Sequence, residues 1–126
     1  MLADYPAQAV LPTSDVDALR PFYEEVLGLT PLAVRPGAVI YEAARGTRLV
    51  ISRSGGKATG AFTQMSFEVR DIEAEVADLR GRGVNFESYE TPKTTDGIAL
   101  MPAGRAAWFK DPDGNLIGLI EFAEPV

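Results

Sequence analysis

The stretch Ala106-Ala107-Trp108-Phe109-Lys110-Asp111-Pro112-Asp113-Gly114-Asn115-Leu116-Ile117-Gly118-Leu119-Ile120-Glu121-Phe122 decides how this chain is read. Pro112 fixes φ at its position, and Asp113, Gly114 and Asn115 are residues that tolerate turn geometry. Apolar residues run into the turn and out of it, which predicts two strands lying against a core.

Working outward, the order of elements repeats. Gln8 to Leu11 reads as a short apolar strand stopped by Pro12, and Ser14 or Asp15 as the cap of a helix running to about Leu27. Val16, Leu19, Phe22 or Tyr23, and Val26 fall at helical spacing as its buried face, and Gly28 ends it. Strands are predicted at 29–34, 39–43 and 48–53, with Gly46-Thr47 turning between the last two. Ser54-Gly55-Gly56-Lys57-Ala58-Thr59-Gly60 is the flexible linker. Thr63 to Val69 is then a strand. Asp71 caps a helix with Ile72, Val76 and Leu79 on one face, and Gly81 and Gly83 end it. A short strand is predicted at 84–89, a polar loop at 91–96 and an extended piece at 98–101 before the closing hairpin.

The two halves correspond residue by residue. Gln8 and Gln64 lie 56 residues apart, as do Asp15-Val16 and Asp71-Ile72; Gly46 and Gly114, and Ile51 and Leu119, lie 68 apart. The extra 12 residues therefore fall between the second helix and the last hairpin. This is a duplicated β-α-β-β-β unit of the α+β class. The expected organisation is one domain over 1–126, with modules at 7–53 and 62–122 joined by a linker at 54–61. Neither half buries its sheet and helix alone, so the two are expected to form one curved mixed sheet with helices outside and a concave cleft inside.

Composition narrows the function. An apolar fraction of 46% with 24% charged residues is globular. The net charge of −6 argues against nucleic acid as a partner. No apolar run is long enough to span a membrane, and the N-terminus lacks the character of a signal peptide, so a cytoplasmic location is expected. There is no cysteine and no histidine. Disulfides, thiolate nucleophiles and Ser-His-Asp or Cys-His catalysis are excluded, and the commonest transition-metal ligand is missing.

Asp-Pro-Asp-Gly-Asn leading into Leu-Ile-x-Leu-Ile, Val-Leu-Gly-Leu at 26–29 and the position of the linker together resemble the vicinal oxygen chelate superfamily. That group includes glyoxalases, extradiol dioxygenases, epimerases and bleomycin-type resistance proteins. The resemblance implies a metal in the concave face of the enzyme members, with ligands from the first and last strand of each half. Carried over position by position, the first-strand ligands become Gln8 and Gln64, and the last-strand ligands become Val50 and Gly118. Two neutral amides and two residues without a side-chain donor make no transition-metal site. Glu121 falls on the opposite strand face from Gly118. The spacing Asp111-x-Asp113-x-Asn115 lacks the glycine and glutamate of a calcium loop and reads as turn capping. No metal, no cofactor and no catalytic residue is expected.

What remains is a cleft with polar points on an apolar floor. Ser66 and Glu68 share the face of Gln64, and Val10 that of Gln8. Trp108, two residues before the Asp-Pro turn, corresponds to a pocket-lining aromatic in the relatives and reads equally as an ordinary core aromatic. Arg105 reads either as an anion anchor or as a solvated strand-end charge, and Tyr41 and Phe62 as packing residues. The candidate ligand-binding set is Gln8, Val50, Gln64, Ser66, Trp108 and Gly118. The leading expectation is a metal-free small-molecule-binding protein that sequesters an antibiotic or metabolite, working as a homodimer as the resemblance implies. A metal-dependent lyase, isomerase or dioxygenase of the same superfamily is the alternative, and a regulatory domain with a vestigial cleft the third reading.

Overall fold

The computed structural model describes residues 1–126, which fall into two compact units, Met1–Ala58 and Thr59–Val126. Hydrogen bonding divides the strands into two sheets, one per unit, rather than a single continuous sheet.

The first unit runs β1 (Gln8–Thr13), α1 (Val16–Pro21), β2 (Thr30–Arg35), β3 (Ala38–Glu42) and β4 (Arg48–Arg53). Its sheet order is β1-β4-β3-β2, with β1 parallel to β4 and the other pairs antiparallel. Pro12 does not stop β1. It sits in an edge strand, where a residue without an N–H is tolerated. Asp15 caps α1 by accepting the Ala18 N–H at 3.1 Å. Past Pro21 the helix widens into a π turn over Phe22–Val26, in keeping with the donor that proline removes. It closes with the Leu29 N–H on the Tyr23 carbonyl at 3.0 Å, across Gly28 at φ +75°. Leu19 and Tyr23 are its buried residues. They belong to a core with Leu11, Val39, Tyr41, Leu49 and Ile51, in which the rings of Tyr23 and Tyr41 stack at 5.9 Å.

The second unit follows the same plan with one more strand after its helix: β5 (Thr63–Glu68), α2 (Ile72–Gly81), β6 (Thr94–Thr95), β7 (Ile98–Met101), β8 (Gly104–Lys110) and β9 (Leu116–Phe122). Its sheet order is β5-β9-β8-β7-β6, again with the first strand parallel to the last. The duplication extends to the caps: Asp71 accepts the Ala74 N–H at 3.1 Å, as Asp15 does in α1. Ile72, Val76 and Leu79 are the buried residues of α2. They share the core with Ala107, Phe109, Ile117 and Leu119, the last four being register partners across β8 and β9.

The predicted strand at 84–89 does not form. Only an isolated bridge joins Phe86 to Phe109, because β7 already takes the rest of that side of β8. Phe62 is 80% exposed and packs nothing, correcting its reading as a packing residue. No helix is long and apolar enough to cross a membrane.

Candidate functional site: an open sheet face in the second unit

The turn that closes the β8–β9 hairpin is held by one carboxylate. Asp111 Oδ1 accepts the backbone N–H groups of Asp113 and Asn115, each at 2.9 Å, and Oδ2 accepts Nδ2 of Asn115 at 2.7 Å. The Asp-x-Asp-x-Asn spacing thus builds a turn, and β9 leaves it in register with β8.

That register splits the sheet into two faces. One carries Ala107, Phe109, Ile117 and Leu119 and packs with α2. Glu121 lies on this helix side, where it accepts the Ile72 N–H at 3.0 Å and the Nε of Arg105 at 2.9 Å. The Ile72 N–H first, and then Arg105, hold the Glu121 carboxyl below its usual range. Arg105 also donates to Glu73 at 2.6 Å. Its side chain, 32% exposed, is thus the centre of an ion-pair clamp between the hairpin and the first turn of α2.

The other face carries a row across β5, β9 and β8: Ser66 opposite Gly118, and Gly118 opposite Trp108. Gly118 has no left-handed φ, so space rather than backbone freedom explains the glycine. A Cβ there would lie 3.3 Å from Thr63 Cγ2 and 3.5 Å from both Cδ1 and Nε1 of Trp108. The indole lies over the position, and its Nε1–H donates to Thr63 Oγ1 at 3.1 Å. A register shift between Thr63 and Met65 sets this up. Thr63 is paired with Leu116, on the face of Gly118, and Gln64 is the extra residue of the bulge.

Trp108 is half-buried, and the ring of Tyr89 meets it at 5.6 Å with the planes 61° apart. Burial first, and then the Glu87 carboxylate, push the Tyr89 phenol up, against the opposing effect of Lys110. Lys110 pairs with Glu87 at 3.3 Å.

Of the residues singled out from sequence, Ser66, Trp108 and Gly118 come together in this row. Val50 holds the equivalent place in the first unit, between Val10 and Ile40, and is buried. Gln8 is exposed, opposite Arg48 at the start of the same sheet. Thr63, Glu87 and Tyr89 were not singled out. The bulge that turns Thr63 toward the indole leaves no mark in the residue pattern, and Tyr89 arrives from a segment outside the repeat.

The donor set at the four carried-over positions does not fit a metal. Gln8 and Gln64 offer neutral amides, Val50 and Gly118 offer nothing, and the space over Gly118 is taken by indole. No three Asp or Glu side chains gather where they could hold an ion.

Two modules, each opening on a strand and a capped helix and each pairing its first strand parallel with its last, define a two-module α+β protein. The chain belongs to the Glyoxalase/Bleomycin resistance protein/Dioxygenase superfamily, whose family model matches residues 6–119. Among solved structures it is similar to TnmS3, an antibiotic binding protein from Streptomyces sp. CB03234. That pair is 30% identical over 94% of this chain and 96% of the other, with a TM-score of 0.73. It is also similar to a glyoxalase/bleomycin resistance protein from the same Streptomyces strain, with 32% identity over 93% of this chain and all of the other, and a TM-score of 0.69. A bleomycin resistance determinant encoded on the transposon Tn5 shares the fold at 24% identity, over 95% of this chain and 99% of the other, with a TM-score of 0.69. Among curated proteins none matches.

Proposed function

We propose that this protein binds a small organic molecule, an antibiotic or metabolite, without a metal and without transforming it. The observation that carries the reading is the seat of Trp108. At the position where metalloenzyme relatives place a last-strand ligand, this chain has a glycine under an indole tethered to Thr63. An indole in that place supplies apolar area and a π face, which suit binding rather than Lewis-acid chemistry. The 30% identity to an antibiotic binding protein supports the same class of ligand. Sequestration follows as the mechanism, since no group on this face is arranged as a general base beside a nucleophile. By analogy with the relatives we extend the reading to a homodimer in the cytoplasm, with Gln64 and Ser66 contributing to ligand contact beside Trp108.

Trp108 is the only tryptophan, so its emission reports on the site directly. Titration with bleomycin and with a panel of aromatic antibiotics is expected to give saturable quenching for at least one compound, and Trp108→Ala is expected to weaken that compound's binding about 10-fold or more. Unchanged affinity in Trp108→Ala would refute the role given to the indole. Near-stoichiometric nickel, zinc, manganese or iron(II) retained after dialysis would transfer the assignment to the metal-dependent lyase, isomerase or dioxygenase reading.

A further inference from the structure

The duplication provides an internal reference for the second unit. Trp108 and Gly118 are register partners, and the equivalent residues of the first unit, Ile40 and Val50, are partners in the same way. Across this pair the sizes have diverged: two branched aliphatics in one unit, the largest and smallest side chains in the other. Gly118 leaves room that the Thr63 methyl and the indole share, the methyl 3.3 Å and the ring 3.5 Å from where a Cβ would lie.

A second difference lies beside the first. The segment 82–97 carries the 12 residues that the first unit lacks. It returns along β8, where the Glu87 N–H donates to the Trp108 carbonyl at 2.8 Å. Two residues on, Tyr89 is fastened by its N–H to Thr94 Oγ1 at 2.9 Å, and its ring stands against the indole. The insertion therefore delivers an aromatic side chain beside the register pair that combines the largest and the smallest residue.

We propose that segment 82–97 is a specificity element: it supplies Tyr89 as a second ligand-contacting aromatic beside Trp108, with Gly118 and Thr63 as positioning residues, and so selects a planar aromatic ligand. This rests on the small-molecule reading above. The polar edge of the indole is engaged by Thr63, which leaves stacking rather than hydrogen bonding as the means of recognition. Two rings at 61° form a corner, and a flat molecule stacked on one of them meets the other edge-on. The Glu87–Lys110 ion pair borders the corner with both signs of charge, so shape rather than net ligand charge decides entry.

The test compares wild type with Tyr89→Ala, Tyr89→Phe, Gly118→Val and the double variant Trp108→Ile/Gly118→Val. Acrylamide quenching of Trp108, without ligand, reads positioning. Gly118→Val should raise the quenching constant about 2-fold as the added side chain displaces the indole. Probe binding, followed by the probes' own fluorescence anisotropy, uses three planar aromatics of different charge: proflavine, acridone and 8-anilinonaphthalene-1-sulfonate. At least one should bind wild type saturably. Tyr89→Ala should weaken it about 10-fold, whereas Tyr89→Phe, which keeps the ring, should stay within about 2-fold. The double variant recreates the Ile40–Val50 pair that the first unit already accommodates, so it should fold and bind no probe. Probe binding that survives Tyr89→Ala, or that distinguishes Tyr89→Phe from wild type as strongly as Tyr89→Ala, overturns the role of the segment. Unchanged quenching in Gly118→Val overturns the positioning role. Absence of probe binding to wild type with the quenching responses intact overturns the small-molecule reading and the ligand class while leaving the positioning geometry standing.

Discussion

Replacing Asp111 by alanine removes the carboxylate that organises the closing hairpin. Asp111 is 4% exposed and Asn115 fully buried, and the side chain receives three hydrogen bonds within 2.9 Å. Of the three donors, the Asn115 N–H and Nδ2 have no route to water without opening the turn, whereas the Asp113 N–H belongs to a half-buried residue that can be hydrated. A buried donor left without its acceptor costs about 1–3 kcal/mol. Two such donors, with part of the loss at Asp113 recovered by water, give a destabilisation of about 3 kcal/mol. Against a total stability of roughly 5–15 kcal/mol, that loss is large. Urea unfolding followed by Trp108 emission reads it in the same hairpin. With a urea dependence of about 2 kcal/mol/M, the midpoint should fall by roughly 1.5 M. Asp111→Asn keeps one acceptor oxygen and should lose about half as much. A loss below about 1 kcal/mol for Asp111→Ala would mean that Pro112 and Gly114 hold the turn through backbone conformation alone, and the reasoning from the carboxylate would fail.

Asp15→Ala and Asp71→Ala each remove one helix N-cap and should each cost about 1 kcal/mol. Because the two caps share their geometry, thermal unfolding should show similar decrements, while serine at either position should restore most of the loss. In the first unit, Glu24 accepts from Arg20 at 2.7 Å and from the Tyr41 hydroxyl at 2.9 Å. The hydrogen bond from Arg20 is the main cause that holds the Glu24 carboxyl below its ordinary value of 4.5, with desolvation opposing it. A depressed folded value means that this contribution is complete above pH 4.5 and is lost as the pH falls through the lower folded value. Glu24→Gln should therefore flatten the acid limb of a stability–pH profile below that pH, and an unchanged limb would exclude Glu24 as a source of acid sensitivity. Tyr41→Phe removes the buried phenol that donates to the same carboxylate and should cost about 1 kcal/mol in chemical unfolding.

Most of the scaffold was legible because local signals agreed with one another. The cap at Asp71, the spacing of Ile72, Val76 and Leu79, and the turn residues between Lys110 and Leu116 all pointed to the elements that formed. Legibility failed where the deciding partner is remote in sequence. Whether Pro12 ends a strand depends on whether that strand lies at an edge, which the order β1-β4-β3-β2 settles and the residue itself does not. The apolar character at 84–89 reads as a strand, yet the side of β8 that it needs is shared with β7, and only the Phe86 bridge remains. Arg105 was open between two readings because both of its carboxylate partners are distant along the chain. In the candidate site, Ser66 was read from alternation with Gln64 and Trp108 from the family resemblance, and the register places both in one row with Gly118. A bulge shifts every residue before it to the other face, so Thr63 rather than Gln64 lies beside the indole.

The same one-residue logic explains how a duplicated scaffold supports two unlike faces. In both units the rows turned toward the helix hold the core: Leu11, Ile51 and Tyr41 in one, Phe109, Ile117 and Leu119 in the other. Exchanging large for small there opens a cavity or forces strain, so those rows are constrained by packing. The opposite rows do not pack on the helix, and it is there that Ile40–Val50 in one unit answers Trp108–Gly118 in the other. Strand alternation thus separates the residues that pack on the helix from those of the candidate site. A chain without histidine or cysteine thereby keeps the superfamily's architecture while Gly118 lies beneath a tryptophan.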